Sequence, residues 1–200
     1  MNPSPGQQPS EAGVDGRRVL ILLLPALAVF WLWNTRYPPI REHRQYLTQD
    51  RKDAVLPWRD LSEAWTEADV RARFQGFPTV CTPDETGAPG ITRMCSVHMR
   101  SLNGVPTMNT NFLFAGPALR RVATSVPWWS HRKGIESLVT SFGRPHVSQS
   151  RPVAGIRLHG WKLPGGASLF YNRDRGPNPL ETSSTQWLAA SACTPSPCIH

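Results

Sequence analysis

The 200-residue chain has no G-x-S-x-G or comparable nucleophile setting around any serine, no glycine-rich phosphate loop and no C-x-x-C pair. Missing with them are the short motifs that mark serine hydrolases, nucleotide-binding enzymes and zinc ribbons. The 14 acids do not cluster for paired-carboxylate work, and His98, His131, His146 and His159 are spread over four elements. Lysine is scarce: only three of the 22 basic residues are lysine and nineteen are arginine. The net charge is +8, yet the arginines are scattered and never form a run of five or more. Nucleic-acid-binding surfaces concentrate their charge on one face or stripe, so the sequence argues against nucleic acid as a partner. No motif points to a cofactor, a metal or a small-molecule substrate, and the reading leans away from an enzyme.

Long apolar runs are also absent, with one exception. Val19 to Trp33, VLILLLPALAVFWLW, is apolar throughout, preceded by Arg17-Arg18 and followed by Asn34 and Arg36. A spanning helix needs about 20 apolar residues; snorkelling arginines and an end marked by Trp31, Trp33 and Tyr37 make up the shortfall. A cleaved signal peptide would want small residues after the run, and Phe30-Trp31-Leu32-Trp33 offers none. The expectation is an uncleaved anchor over residues 17–36 in contact with membrane lipid. Met1 to Gly16 is polar and reads as a disordered tail; residues 37–56 read as a juxtamembrane stem. Five basic residues follow the run against two before it, which taken alone would keep the C-terminal part in the cytoplasm. The cysteines argue for the opposite orientation.

There are four of them, Cys81, Cys95, Cys193 and Cys198, and three pairings are open. Closeness in sequence favours Cys81–Cys95, around a turn-rich loop, and Cys193–Cys198, around CTPSPC. An even set in local pairs suits an oxidising compartment. A metal site from Cys193, Cys198 and His200 is the competing reading, but it is one ligand short of a closed zinc site. The expected location is therefore a bacterial inner membrane, single-pass, with residues 57–200 on the periplasmic side.

Within 57–200, Thr66-Glu67-Ala68-Asp69 is a helix start of the capping-box kind. Val70 and Phe74 follow at helical spacing, and Gly76 and Pro78 end the element. Leu138 and Phe142, then Gly143 and Pro145, repeat the pattern. Strand-like stretches follow each stop: 96–102, 107–114 and 119–125, then 155–163, 167–172 and 183–188. Asn103-Gly104 is a strong hairpin signal. The expected fold is α+β: a transmembrane helix, then one domain of two helix-plus-antiparallel-sheet repeats at about 62–126 and 130–190.

VRARFQGFP followed by a hairpin and NFLFAGPALRRV resembles the small lipoproteins of the bacterial outer-membrane barrel-assembly machinery. The duplicated arrangement is similar to the β-lactamase-inhibitor-protein fold. Gly76, Pro78, Phe112, Phe114 and Gly116 carry the likeness in the first half, and Gly143, Pro145, Phe170 and Tyr171 in the second. The chain departs from the lipoproteins in having no lipobox cysteine. The resemblance implies a binding or assembly role on a sheet face, without catalysis or cofactor.

Candidate partner-binding residues are Trp128, Trp129, His131 and Arg132, in the hexapeptide PWWSHR, because tryptophan and arginine are enriched at interface hot spots. Arg173 and Arg175, in the polar loop NRDRGPNP, complete the set. The expected function is envelope protein binding or assembly; the alternative is a membrane-tethered, hydrolase-like enzyme.

Overall fold

The computed structural model describes residues 38–84, 87–149 and 156–192. Two compact units divide the chain at Arg41/Glu42, and the fold below is that of the second. Helix α1 (Pro38–Thr48), through which that division runs, leads to a two-residue strand, β1 (Asp53–Ala54), and then to α2 (Glu67–Arg73). Thr66 caps α2: its hydroxyl accepts from the Asp69 amide while the Asp69 carboxylate accepts from the Thr66 amide. The capping box read from the sequence is therefore present, and Gly76, at φ +83°, lets the chain turn away after the helix.

Strands dominate. After α2 come β2 (Thr79–Pro83), β3 (Arg93–His98), β4 (Ser101–Leu102), β5 (Val105–Pro106), β6 (Asn109–Ala115) and β7 (Ala118–Pro127). A 3-10 turn over Trp128–Ser130 leads into α3 (His131–Phe142), followed by β8 (Val147–Ser148), β9 (Leu158–Lys162), β10 (Ser168–Asn172) and β11 (Thr182–Leu188). Eight strands form one antiparallel sheet in the order β2-β3-β6-β7-β11-β10-β9-β8, and β1, β4 and β5 form a small second sheet. The seam between β7 and β11 joins strands from the two halves of the chain through seven residue pairs, Thr182↔Pro127 to Leu188↔Arg121.

Alternation along these strands sorts side chains onto two faces. Phe112, Val122, Trp187, Leu169, Tyr171 and Trp161 point to the helix side and are essentially inaccessible. There they meet Val70 and Phe74 of α2 and Leu138 of α3 in one core; the Phe74 and Phe112 rings lie 5.4 Å apart. The opposite face carries a half-buried row that crosses strand to strand from Ser96 through Asn111, Ala123 and Gln186 to Phe170.

The architecture corrects the sequence-based expectation. Among the described residues the molecule is mostly sheet, with eleven strands against three α-helices. Its main sheet runs unbroken through both halves of the chain over one core, in addition to the small three-stranded sheet. No described helix is long and apolar enough to cross a membrane, and residues 17–36, where the anchor was expected, lie outside the described residues, as do Cys193 and Cys198. The physical reason is that alternation identifies strands but not their partners, so nothing local distinguishes two small sheets from one large one.

The stem also differs. Residues 42–56 are part of the domain: Leu56 is fully buried, its amide bonded to the Asn103 side chain at 2.9 Å, and β1 pairs in parallel with β4. Buried Arg51 reaches the Met108 carbonyl at 2.7 Å. Asn103-Gly104 makes the expected tight turn, both residues at positive φ (51° and 78°), but it joins the short β4 and β5 of the second sheet. Phe74 is buried, whereas Phe142 is half-buried under the Arg59 guanidinium, 5.1 Å from its centroid.

Candidate partner-binding corner

Four of the six residues singled out in sequence meet at one corner, where the 3-10 turn after β7 faces the loop after β10. The Trp128 indole N–H donates to the Gly176 carbonyl at 2.6 Å. The Arg175 guanidinium lies 3.8 Å from the centre of the same indole ring, a cation–π stack at the surface. Arg173 holds the start of the loop: its Nη1 donates to the Gln149 carbonyl at 2.6 Å, and its amide bonds the Arg157 carbonyl at 2.8 Å. Asp174 is bonded by Arg157 at 2.5 Å and stands 3.8 Å from Arg173. These ion pairs are partly exposed, so each contributes little by itself. Together with the main-chain bonds they fix the loop's path.

Beneath the loop is a buried network. His131 Nδ1 and Ser183 Oγ are 2.6 Å apart. The Tyr171 hydroxyl donates to the His131 carbonyl at 3.0 Å, and the two rings lie 5.4 Å apart, tilted by 32°. Ser183 and His131 are both buried. Burial pushes the His131 pKa below its ordinary value; a hydrogen bond to the Arg173 main chain pulls the other way, and the Arg175 charge adds to the depression. Burial raises the Tyr171 pKa. Gly134 of α3 allows the approach, because a Cβ there would overlap the Tyr171 hydroxyl.

The other two residues lie apart from this cluster. Trp129 is about half exposed, at 49 %, with its ring edge-on to His43 of α1 at 5.6 Å. Arg132 lies on the solvent side of α3, bonded to Glu136 one turn on at 2.7 Å. Sequence reasoning missed Ser183, Tyr171 as a hydroxyl donor and Gly134. Only Gly134 left a trace, as a glycine inside a helical pattern.

No protein-family model matches this chain. No curated protein and no solved structure matches it either. A Ser–His pair suggests nucleophilic catalysis, but here the serine hydroxyl is enclosed between His131 and Tyr171 beneath the loop. A cavity of about 20 Å³ lies nearby against Gly134 and Thr185, and a cleft of about 320 Å³ is lined by Ile91, Arg120, Arg121 and Ser191. Neither is lined by a histidine. What the corner presents outward is an ordered loop bearing a stacked arginine.

Proposed function

We propose that this chain is a membrane-attached protein of the bacterial envelope whose sheet-rich domain binds a protein partner through the Trp128–Arg175 corner. The observation that carries the reading is the 3.8 Å stack of Arg175 on Trp128, with the indole tied to Gly176. Tryptophan and arginine dominate interface hot spots, and a loop already held in one shape loses little entropy on binding. Attachment to lipid would come through residues 17–36. A periplasmic location is supported by the Cys81–Cys95 disulfide, since such bonds persist in oxidising compartments. The resemblance to barrel-assembly lipoproteins points in the same direction.

The test replaces Arg175 with a photo-crosslinking amino acid in living cells, using exposed Val80 on the edge strand β2 as the control position. A discrete protein adduct at 175, absent at 80 and lost with Trp128→Ala, is expected. Equal adducts at both positions would overturn the corner as the binding site. The hydrolase alternative has one supporting observation, the 2.6 Å Ser183–His131 contact. Labelling of Ser183 by a fluorophosphonate would favour it over a pure binding role.

A further inference from the structure

The cleft of about 320 Å³ lies at the far end of β7 from the Trp128 corner, where the loop before β3, the β6–β7 hairpin and the 3-10 turn after β11 come together. From Arg121 to Pro127 the strand runs for about 20 Å, so the two places share no residues. Ile91, Ala115 and Ala192 give the cleft an apolar side, and Arg120, Arg121 and Ser191 a polar one. Main-chain bonds shape its walls. The Ile91 amide closes a turn onto the Ala88 carbonyl at 3.1 Å, and the Ala189 amide ties the last turn to the Arg120 carbonyl at 3.0 Å.

The β6–β7 ladder slips at this point: Leu113 opposes Arg121 and Phe114 opposes Leu119, which leaves Arg120 as an extra residue on β7. A bulge of this kind breaks the strict alternation of a strand and re-aims a side chain. Two consecutive arginines therefore line one cleft. Their charges are not balanced. Arg120 Nη1 donates to Glu63 Oε2 at 3.1 Å, and Glu63 Oε1 accepts from the Ser191 amide at 3.1 Å. The Ser191 bonds, with the Arg120 charge adding to them, lower the Glu63 pKa, so that carboxylate is ionised and offsets Arg120. Arg121 is exposed and makes no ion pair or side-chain hydrogen bond among the described residues. One positive charge is left over beside an apolar wall.

We propose that this cleft binds a small monocarboxylate with an apolar body, its carboxylate on Arg121 and the free N–H groups of Arg120, its body against Ile91, Ala115 and Ala192. The volume falls at the small end of the range for ligand sites, about 300–1,000 Å³, and such sites combine apolar walls with a few placed polar groups. A planar guanidinium fork matches a carboxylate through two parallel bonds. A single uncompensated charge suits a monoanion. A phosphate monoester, at about −1.5 to −2, would leave the cleft with excess negative charge. This inference is independent of the partner-binding reading.

The test uses the full chain in phosphatidylcholine nanodiscs and follows 4-(trifluoromethyl)phenylacetate by ¹⁹F NMR. The probe's signal should shift saturably and be restored by phenylacetate. Its neutral amide and plain acetate should each bind at least about 10-fold more weakly. Arg121→Gln should weaken binding about 10- to 100-fold, the usual effect of losing a hydrogen bond to a charged group, with the denaturation midpoint unchanged. Arg121→Lys, which keeps the charge and loses the fork, should fall in between. No saturable shift, or binding unaffected by Arg121→Gln, would overturn the site. An amide that binds as tightly as the carboxylate, or phenyl phosphate that displaces the probe at lower concentration than phenylacetate, would overturn the ligand class.

Discussion

Replacing Gly134 with alanine tests how the corner is built. In a helix interior alanine is favoured over glycine by about 1 kcal/mol, so the substitution would stabilise α3 if nothing packed against it. Here the new methyl would overlap the Tyr171 hydroxyl and lie 2.7 and 3.1 Å from its Cζ and Cε2. Tyr171 is fully buried in the sheet core and cannot swing away. Overpacking of this kind costs about 1–3 kcal/mol. Displacing the ring also strains the hydroxyl's bond to the His131 carbonyl, about 1 kcal/mol more. The balance is a net loss of about 1–3 kcal/mol, or roughly 2–12 °C in Tm for a domain of this size. Urea midpoints at constant m-value measure it. A double-mutant cycle with Tyr171→Leu separates the contact from helix propensity: once the ring is gone, Gly134→Ala should become neutral or stabilising. A single variant as stable as the parent, or no coupling in the cycle, would refute the account.

Further outcomes follow from other contacts. Removing the Cys81–Cys95 bond by paired alanine substitutions should lower stability by about 2–4 kcal/mol, the range for a short loop, read from the denaturation midpoint. Burial depresses the folded-state pKa of His98, His131 and His159, aided by the charges of Arg51 on His98, Arg175 on His131 and Arg173 on His159. The unfolded chain therefore binds more protons as the pH falls below about 6.5. Stability should be complete above that pH and decline as the medium is acidified through the folded values. A further loss should come near pH 4 and below, where hydrogen-bonded Asp53, held at about 2 by Arg100 and Ser101, and Glu67, lowered by Arg93 and Arg71, are forced to take up protons. A midpoint that rises on acidification from pH 7 to 5 would contradict this. Trp128→Ala should leave global stability within about 1 kcal/mol yet speed proteolysis at the 173–181 loop, because an exposed cation–π stack contributes only about that much.

Local signals were legible in the sequence wherever neighbouring residues carried the information. Thr66 to Asp69 announced a capped helix, and Gly143, at φ +77°, ended the second one as expected. The strands at 107–114, 119–125 and 183–188 lie within or against β6, β7 and β11. β2 was not foreseen, since TVCTP is short and ends in proline, and only its pairing with β3 makes it a strand. The stem was read as separate from the domain because 37–56 is polar and proline-led. Its anchoring comes from distant partners: Tyr46 on the Arg100 carbonyl and Arg51 on the Met108 carbonyl. The corner was half legible for the same reason. Tryptophan and arginine drew attention by type, whereas Ser183 and Tyr171 gained meaning only when β10 and β11 brought them to His131.

The seam between β7 and β11 also has a consequence during synthesis. The hydrogen-bonding edge that β7 offers at Thr124 is claimed by Thr185, 61 residues later in the chain. Until that segment leaves the ribosome, β7 is a ten-residue strand with one unpaired edge, carrying Leu119, Val122 and Val126 on its apolar side. An edge of that length readily recruits other strands. A nascent chain paused before residue 182 should therefore aggregate or depend on a holding chaperone, and one extended past residue 188 should be released from both.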